Sequence, residues 1–261
     1  MKRSNKITFA IFIVVLIGTA CDLPYEPGPQ PSTIIETDFE PGLNILGVLR
    51  LDDSTGTSFI HIEQACRTEE IYDEDFPLII EDAETVVRGA TDTTTYPFVF
   101  EADTLRPYTY THPGFIPTAG EQYALTITHS TLDTLTATTV VPVKPYIDPT
   151  TLTISENTLS FDLLTTTDTY LYDIYLISPS DSLHYRFANQ GEGLLPVAFN
   201  PTVGPGQTMT IHIYGYDANL AEYLTAVTTI KYQTYMETVT TVTGGYGVFG
   251  SVSVFKMELN Q

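Results

Sequence analysis

The stretch that decides the fold is LNILGVLRL, residues 43–51, where aliphatic side chains and glycine occupy every odd position. It ends at the turn-forming cluster DDSTG (52–56), and a second alternating run, FIHIEQA (59–65), follows. Successive side chains of a β-strand point to opposite faces, so a repeat of two is typical of a strand with one buried face. Two such runs around a turn cluster predict an antiparallel β-hairpin.

Similar short runs recur along the next 80 residues, separated by Pro, Gly, Asp or Asn. The chain is rich in Thr, Tyr, Val and Ile, which fit a pleated, half-buried surface. Further strands are predicted at 83–88, 97–102, 122–128 and 135–141. About seven short strands at this spacing indicate an antiparallel β-sandwich.

The sequence PVKP (142–145) indicates a boundary, because two prolines remove backbone donors and end a strand. A second set of strands is predicted at 152–155, 158–164, 170–177, 183–187 and 209–216, with a final strand after the glycines at 244–245. Residues 217–227 predict one helix, since Leu220, Tyr223, Leu224 and Val227 share a face. We therefore expect an all-β fold of two immunoglobulin-like or fibronectin-III-like antiparallel sandwich domains, 36–143 and 144–261, with one short helix in the second.

The first 20 residues have the layout of a secretory signal peptide. Lys2, Arg3 and Lys6 precede an apolar run at 7–17, and small residues follow at 18–20. The apolar run is too short to span a bilayer, which needs about 20 residues.

Cys21 directly follows the predicted cleavage point, where a lipoprotein peptidase would leave a lipid-modified cysteine. Gly18 departs from the large aliphatic residue usual three positions before the cut. Residues 21–35 are rich in proline, which favours an extended tether. We favour Cys21 as the lipid attachment site, with Cys66 as a lone buried thiol. A Cys21–Cys66 disulfide after cleavage by the general signal peptidase is the alternative.

The charge of the chain restricts its partners. Removal of the leader leaves 8 Lys and Arg against 32 Asp and Glu, a net charge of −24. Phosphate backbones and anionic lipid surfaces repel such a chain, so nucleic acid is a poor partner. A covalent lipid is a more plausible route to a membrane than adsorption.

No motif in the sequence indicates catalysis, a cofactor or a metal. The acidic segment 69–75 holds five carboxylates that a cation such as calcium could use, but its spacing matches no calcium loop, and a solvated loop is favoured. The five histidines have no zinc-ligand spacing. The 17 tyrosines include those of YTYTH (108–112) and YQTY (232–235). We interpret these two groups as cross-strand pairs on an exposed sheet face in preference to ligand contacts.

The order of these segments resembles the DUF4249 family of exported lipoproteins, which are common in Bacteroidota. The resemblance covers nearly all of residues 36–261, and its more specific pieces are PTAGEQYALTI (117–127) and GGYGVFG (244–250). It implies two β-sandwich parts, no established activity, and genes often found beside outer-membrane TonB-dependent transporters.

From the residues and this resemblance we expect a non-enzymatic lipoprotein anchored in the outer membrane, at its periplasmic face or at the cell surface. Its expected role is as a binding or accessory component of a transporter-like envelope complex. The alternatives are an adhesin-like or fibre-forming subunit, which would pair through an edge strand, and a hydrolase whose site assembles from distant residues.

Overall fold

The hairpin predicted around the first turn cluster is present in the computed structural model. Strands β1 (Leu43–Leu51) and β2 (Phe59–Gln64) are antiparallel, with Ile45 opposite Ile62. The side chains of Leu43, Ile45, Leu49 and Leu51 are buried, as the alternation predicts.

The structure describes residues 40–260 except 68–69, 71–72, 74–75, 92–93, 103–105, 156–157, 180, 202–207 and 229–238. The predicted leader, tether and lipid-attachment residue Cys21 lie outside these ranges. No helix within them is long and apolar enough to cross a membrane.

Fourteen more strands and one helix follow in the described part of the chain. Their bounds are β3 (Glu84–Gly89), β4 (Thr95–Glu101), β5 (Thr109–Thr111), β6 (Gln122–Thr128), β7 (Leu135–Val140), β8 (Tyr146–Ile147), β9 (Thr153–Ser155), β10 (Thr158–Thr165), β11 (Leu171–Ile177), β12 (Ser182–Ala188), β13 (Gly193–Phe199), β14 (Thr208–Tyr216), α1 (Ala218–Thr228), β15 (Val242–Thr243) and β16 (Gly245–Asn260).

The first hydrophobic core lies between two layers of strands. One layer contains β16, β1, β2 and β5, and the other contains β3, β6, β7 and β15. β4 joins them, because it pairs with β3 through its first half and with β5 through its second half. Large side chains such as Phe115, Leu125 and Ile127 fill the space between the layers.

The continuous row of strands β12-β11-β14-β16-β1-β2-β5 is called the long sheet below. The second core lies between a smaller sheet, β13-β10-β8, and the β12-β11-β14-β16 part of the long sheet. Phe161, Tyr172 and Ile213 are almost completely buried there. The all-β sandwich class with one short helix is therefore confirmed.

The C-terminal strand β16 contributes to both cores. It pairs in parallel with β1 through Gly245–Ser253 and antiparallel with β14 through Val252–Asn260. Phe249 packs in the first core, whereas Leu259 packs in the second. Both cores belong to one compact unit that starts at Glu40, and the boundary between residues 143 and 144 stays a prediction.

Most of the predicted strands are present, but β5, β8, β13 and β15 were not predicted. β13 contains Pro196, which argues against a strand in the interior of a sheet. Among the described strands, β13 pairs only with β10 and therefore lies at the edge of its sheet. An edge strand tolerates proline, because one side of its backbone needs no hydrogen-bond donors.

The predicted helix forms as α1, one residue later than expected. Asp217 caps it, because the Leu220 backbone N–H donates to the Asp217 carboxylate at 3.0 Å. Leu220 packs with Val248, Val252 and Val254 against the side of the long sheet that faces away from the cores.

Candidate functional site

The outer side of the long sheet gathers aromatic and cationic side chains from five strands, β1, β11, β12, β14 and β16. Core residues and outer residues alternate along each strand, and the pairing aligns the outer ones in rows across the sheet. One row contains His184, Tyr175, His212 and Lys256 in neighbouring strands. The next row contains Arg186, Asp173 and Tyr214. We call this surface the tyrosine face; its members are Arg50, Asp173, Tyr175, His184, Arg186, His212, Tyr214, Tyr216 and Lys256.

Asp173 is the buried anion of the tyrosine face, with 1% of its surface exposed. The Arg186 guanidinium donates two hydrogen bonds to it, from Nε and Nη2, both of 2.7 Å. His184 Nε2 lies 2.8 Å from the same carboxylate. Burial alone would raise the pKa of Asp173, but the hydrogen bonds from Arg186 and His184 outweigh it and the pKa is lowered. Asp173 therefore holds the Arg186 guanidinium and the His184 ring on the outer side of the sheet.

The aromatic rings around this group contact one another closely. Tyr175 stacks on His184 with their ring centres 4.3 Å apart and nearly parallel. Tyr214 meets Tyr175 edge-on at 5.8 Å and lies nearly parallel to Tyr216. Burial and the neighbouring Asp173 raise the pKa of the Tyr216 hydroxyl. These contacts favour a fixed arrangement of rings over mobile side chains.

Cations are concentrated on this side of the sheet. The Arg50 guanidinium lies 5.8 Å from the centre of the Tyr214 ring and also binds Asp52 at 2.6 Å. Lys256 is exposed beside His212. Burial, with Lys256 and Arg50 nearby, lowers the pKa of His212.

Arg106 is a further cation on the outer side of the long sheet. Its guanidinium lies 4.3 Å from the centre of the Phe59 ring, in β2. Seven of the eight Lys and Arg residues after the leader lie in the described ranges. Four of these seven, Arg50, Arg106, Arg186 and Lys256, are on the outer side of this one sheet. An acidic chain thus presents one surface on which cations and aromatic rings are mixed.

A second polar cluster lies where β7, β16 and the start of α1 meet. Thr139 Oγ1 donates to Asp217 at 2.6 Å and lies 2.9 Å from Ser251 Oγ. Asn219 donates to the backbone oxygens of Thr138 and Phe249. Burial raises the pKa of Asp217, against the opposing effect of its hydrogen bonds. A cavity of about 320 Å³ adjoins the cluster, but the Asp217 and Asn219 side chains that line it are engaged in these bonds. The cluster links β7, β16 and the start of α1 by buried hydrogen bonds.

None of the sequence-predicted candidates that the structure describes belongs to either cluster. Cys66 is a free, half-buried thiol, and its proposed alternative partner Cys21 lies outside the described residues. Only Glu70 and Asp73 of the five acidic residues at 69–75 are described. Among the residues in the structure, no group of three or more His, Cys, Asp or Glu is placed to hold a metal.

The interpretation of YTYTH as exposed pairs is wrong for Tyr110. Tyr110 does face Phe100 across the strands, but it is 2% exposed and its hydroxyl donates to the Ile80 carbonyl oxygen at 3.0 Å. The second tyrosine group, at 232–235, lies outside the described ranges. The sequence analysis did not predict the tyrosine face. The signal was present in HIYGY (212–216) and LHYRF (183–187), where every second residue is His, Tyr or Arg and so points to the same side of its strand.

Comparison with known proteins yields structural likenesses only. No family model matches the chain, and no curated protein matches it. A two fibronectin type-III domain segment from chicken tenascin is 9% identical, with a TM-score of 0.27 over 85% of this chain and 99% of that one. The chicken CNTN1 FN1–FN3 domains are 12% identical, with a TM-score of 0.28 over 85% and 66%. The chicken interferon gamma receptor alpha chain is 8% identical, with a TM-score of 0.24 over 68% and 89%. At these scores we take the fold class from the strands and cores themselves.

Proposed function

We propose that this protein is a lipid-anchored binding component of the cell envelope that contacts a partner protein through the tyrosine face. The observation that carries the proposal is the concentration of Tyr, His and Arg side chains on one side of the sheet. His184, Arg186 and Lys256 are exposed there, and the tyrosines between them and helix α1 are half-buried. Such surfaces are typical of protein interfaces, where Tyr and Arg are enriched and supply much of the binding energy.

The anchoring part of the proposal rests on the sequence. Lipidation at Cys21 would hold the chain at the outer membrane, and the proline-rich residues after it would set its distance from the lipid. The resemblance to exported lipoproteins suggests an outer-membrane transporter of the TonB-dependent kind as the partner. A binding role, as opposed to an enzymatic one, belongs to the same proposal.

The experiment is an intact-mass measurement on the native protein extracted from its own membranes, with identification of copurifying proteins after crosslinking. We expect a mass that begins at Cys21 with added acyl chains, and one abundant barrel-type partner. Cys21→Ala should release the protein from the membrane, whereas Cys66→Ala should leave it there. An unlipidated mass that is two hydrogens light, from a Cys21–Cys66 bond, would refute the anchor.

A fibre-forming or adhesin-like role has one observation in its favour. β12 ends the long sheet, has seven residues and contains no proline, and no other described strand pairs with its free side. Edges of this kind can accept a strand from another molecule. Sedimentation velocity separates the two functions, because the accessory role predicts a monomer and the fibre role predicts a ladder of identical subunits.

A further inference from the structure

The charges on the tyrosine face indicate what kind of partner it can bind. We propose that the tyrosine face binds an acidic polypeptide segment, rich in Asp and Glu, on its partner. This inference rests on the proposed function, because it names the chemistry of the partner that would contact that face.

The first step is electrostatic. The chain after the leader carries a net charge of −24, so an acidic segment is repelled over most of its surface. On the outer side of the long sheet, Arg50 and Arg186 are each neutralised by a buried or half-buried aspartate, at 2.6 and 2.7 Å. Lys256 is exposed and makes no ion pair with any described residue. Glu258 lies two residues along the same strand on the same side, but it forms no ion pair with Lys256. Lys256 therefore offers the acidic segment a cation that no described carboxylate already pairs.

The second step is the arrangement around Lys256. His212 lies beside it in the neighbouring strand, and Tyr175 and His184 continue the row toward the edge of the sheet. His184 is 39% exposed in its side chain. The row presents donors along a line perpendicular to the strands, which suits carboxylates spaced along an extended segment. Glu258, the next outer residue of β16, marks the limit of the cationic area.

The third step separates a polypeptide from an anionic polysaccharide. Tyr175 stacks on His184 within the row, and aromatic side chains of this kind are enriched at protein–protein interfaces. Charge complementarity of this kind orients the partner and accelerates association.

The experiment measures binding of a short poly-L-glutamate peptide to the full mature chain by titration calorimetry at low ionic strength. Lys256→Glu is compared with Arg88→Glu, since Arg88 is also exposed but lies on β3, away from the tyrosine face. Both variants change the charge by the same amount. We expect wild type and Arg88→Glu to bind alike, and Lys256→Glu to bind about tenfold more weakly. Equal urea midpoints for the three proteins would establish that the variants fold.

Three results would overturn the inference. They are no binding of poly-L-glutamate, an equal loss in both variants, and preferential binding of polygalacturonate with the same dependence on Lys256. The last result would make an anionic polysaccharide the ligand. A protein that is lipidated and forms its envelope complex, but does not bind the peptide, would refute only this inference. A protein that binds the peptide through Lys256 but carries no lipid would refute only the anchoring.

Discussion

The Thr139 hydroxyl of β7 donates a hydrogen bond of 2.6 Å to the carboxylate of Asp217, the residue before α1, although the two are 78 positions apart in sequence. Asp217 is 4% exposed and Thr139 is 3% exposed. Ser251 of β16 lies 2.9 Å from the same threonine hydroxyl. One buried hydrogen-bond cluster thus links β7, α1 and the strand that belongs to both cores.

Replacement of Thr139 by valine should destabilise the protein. The shape of the side chain is kept, but buried Asp217 and Ser251 each lose a partner, so the free energy of unfolding should fall by about 1–3 kcal/mol. Urea denaturation measures this change. Thr138→Val is the control, because the Thr138 side chain is exposed and only its backbone oxygen bonds to Asn219. Equal losses in the two variants would contradict a role for the Thr139 hydroxyl.

Replacement of Asp217 by asparagine should change the dependence of stability on pH. Since burial raises the pKa of Asp217 in the folded state, the stability that it contributes is present below the unfolded pKa of about 3.9 and is lost as pH rises through the folded-state pKa. Asparagine has no such titration and can still cap the helix. The stability of the variant relative to wild type should therefore increase as pH rises from about 4. A difference that stays flat from pH 4 to 8, measured by urea titration, would contradict this assignment.

Replacement of Arg186 by methionine should leave Asp173 buried without its main partner. Removing the partner of a buried carboxylate costs about 3 kcal/mol, measured as a fall in the free energy of unfolding at neutral pH. The double variant Asp173→Leu/Arg186→Met should recover much of that loss, because no uncompensated charge remains. A double variant no more stable than Arg186→Met would show that the cost arises from packing.

The same pair should affect acid stability in wild type. Because the pKa of Asp173 is lowered, its contribution is present above the unfolded value of about 3.9 and is lost as pH falls through the folded-state pKa. The difference between wild type and Arg186→Met should therefore shrink in strong acid.

Replacement of Gly247 by alanine should disrupt the parallel pairing of β1 with β16. Gly247 has a φ of 101°, and a Cβ there would lie 2.0 Å from the backbone oxygen of Ile45. We expect a loss of more than about 3 kcal/mol or a failure to fold. Gly120→Ala is the control, since Gly120 has a φ of 75° but open space around it, and it should cost only about 1 kcal/mol. Similar thermal midpoints for the two variants would contradict the steric explanation.

The sequence predicted individual elements well where one face of an element is buried. The alternation in residues 43–51 and the apolar stripe of α1 follow local geometry, so β1 and the helix were predicted almost to the residue. β13 was missed because it contains Pro196, and proline is tolerated in a strand only at the edge of a sheet. The sequence does not show that β13 lies at an edge. Tyr110 was assigned to a cross-strand pair on an exposed sheet face, but its hydroxyl donates inside the core to the Ile80 carbonyl oxygen, a contact between residues 30 positions apart.

The sequence by itself determined the all-β class, the positions of most strands and of the helix, the acidity of the chain and the candidate lipid site at Cys21. These properties depend on side-chain periodicity, composition and short-range order, which are local. Only the tertiary structure decided that β16 runs through both cores and that Asp173, Tyr214 and Lys256 share one surface. That outcome depends on which distant strands pair and in which register, and a shift of one residue would turn every side chain of a strand to the opposite face.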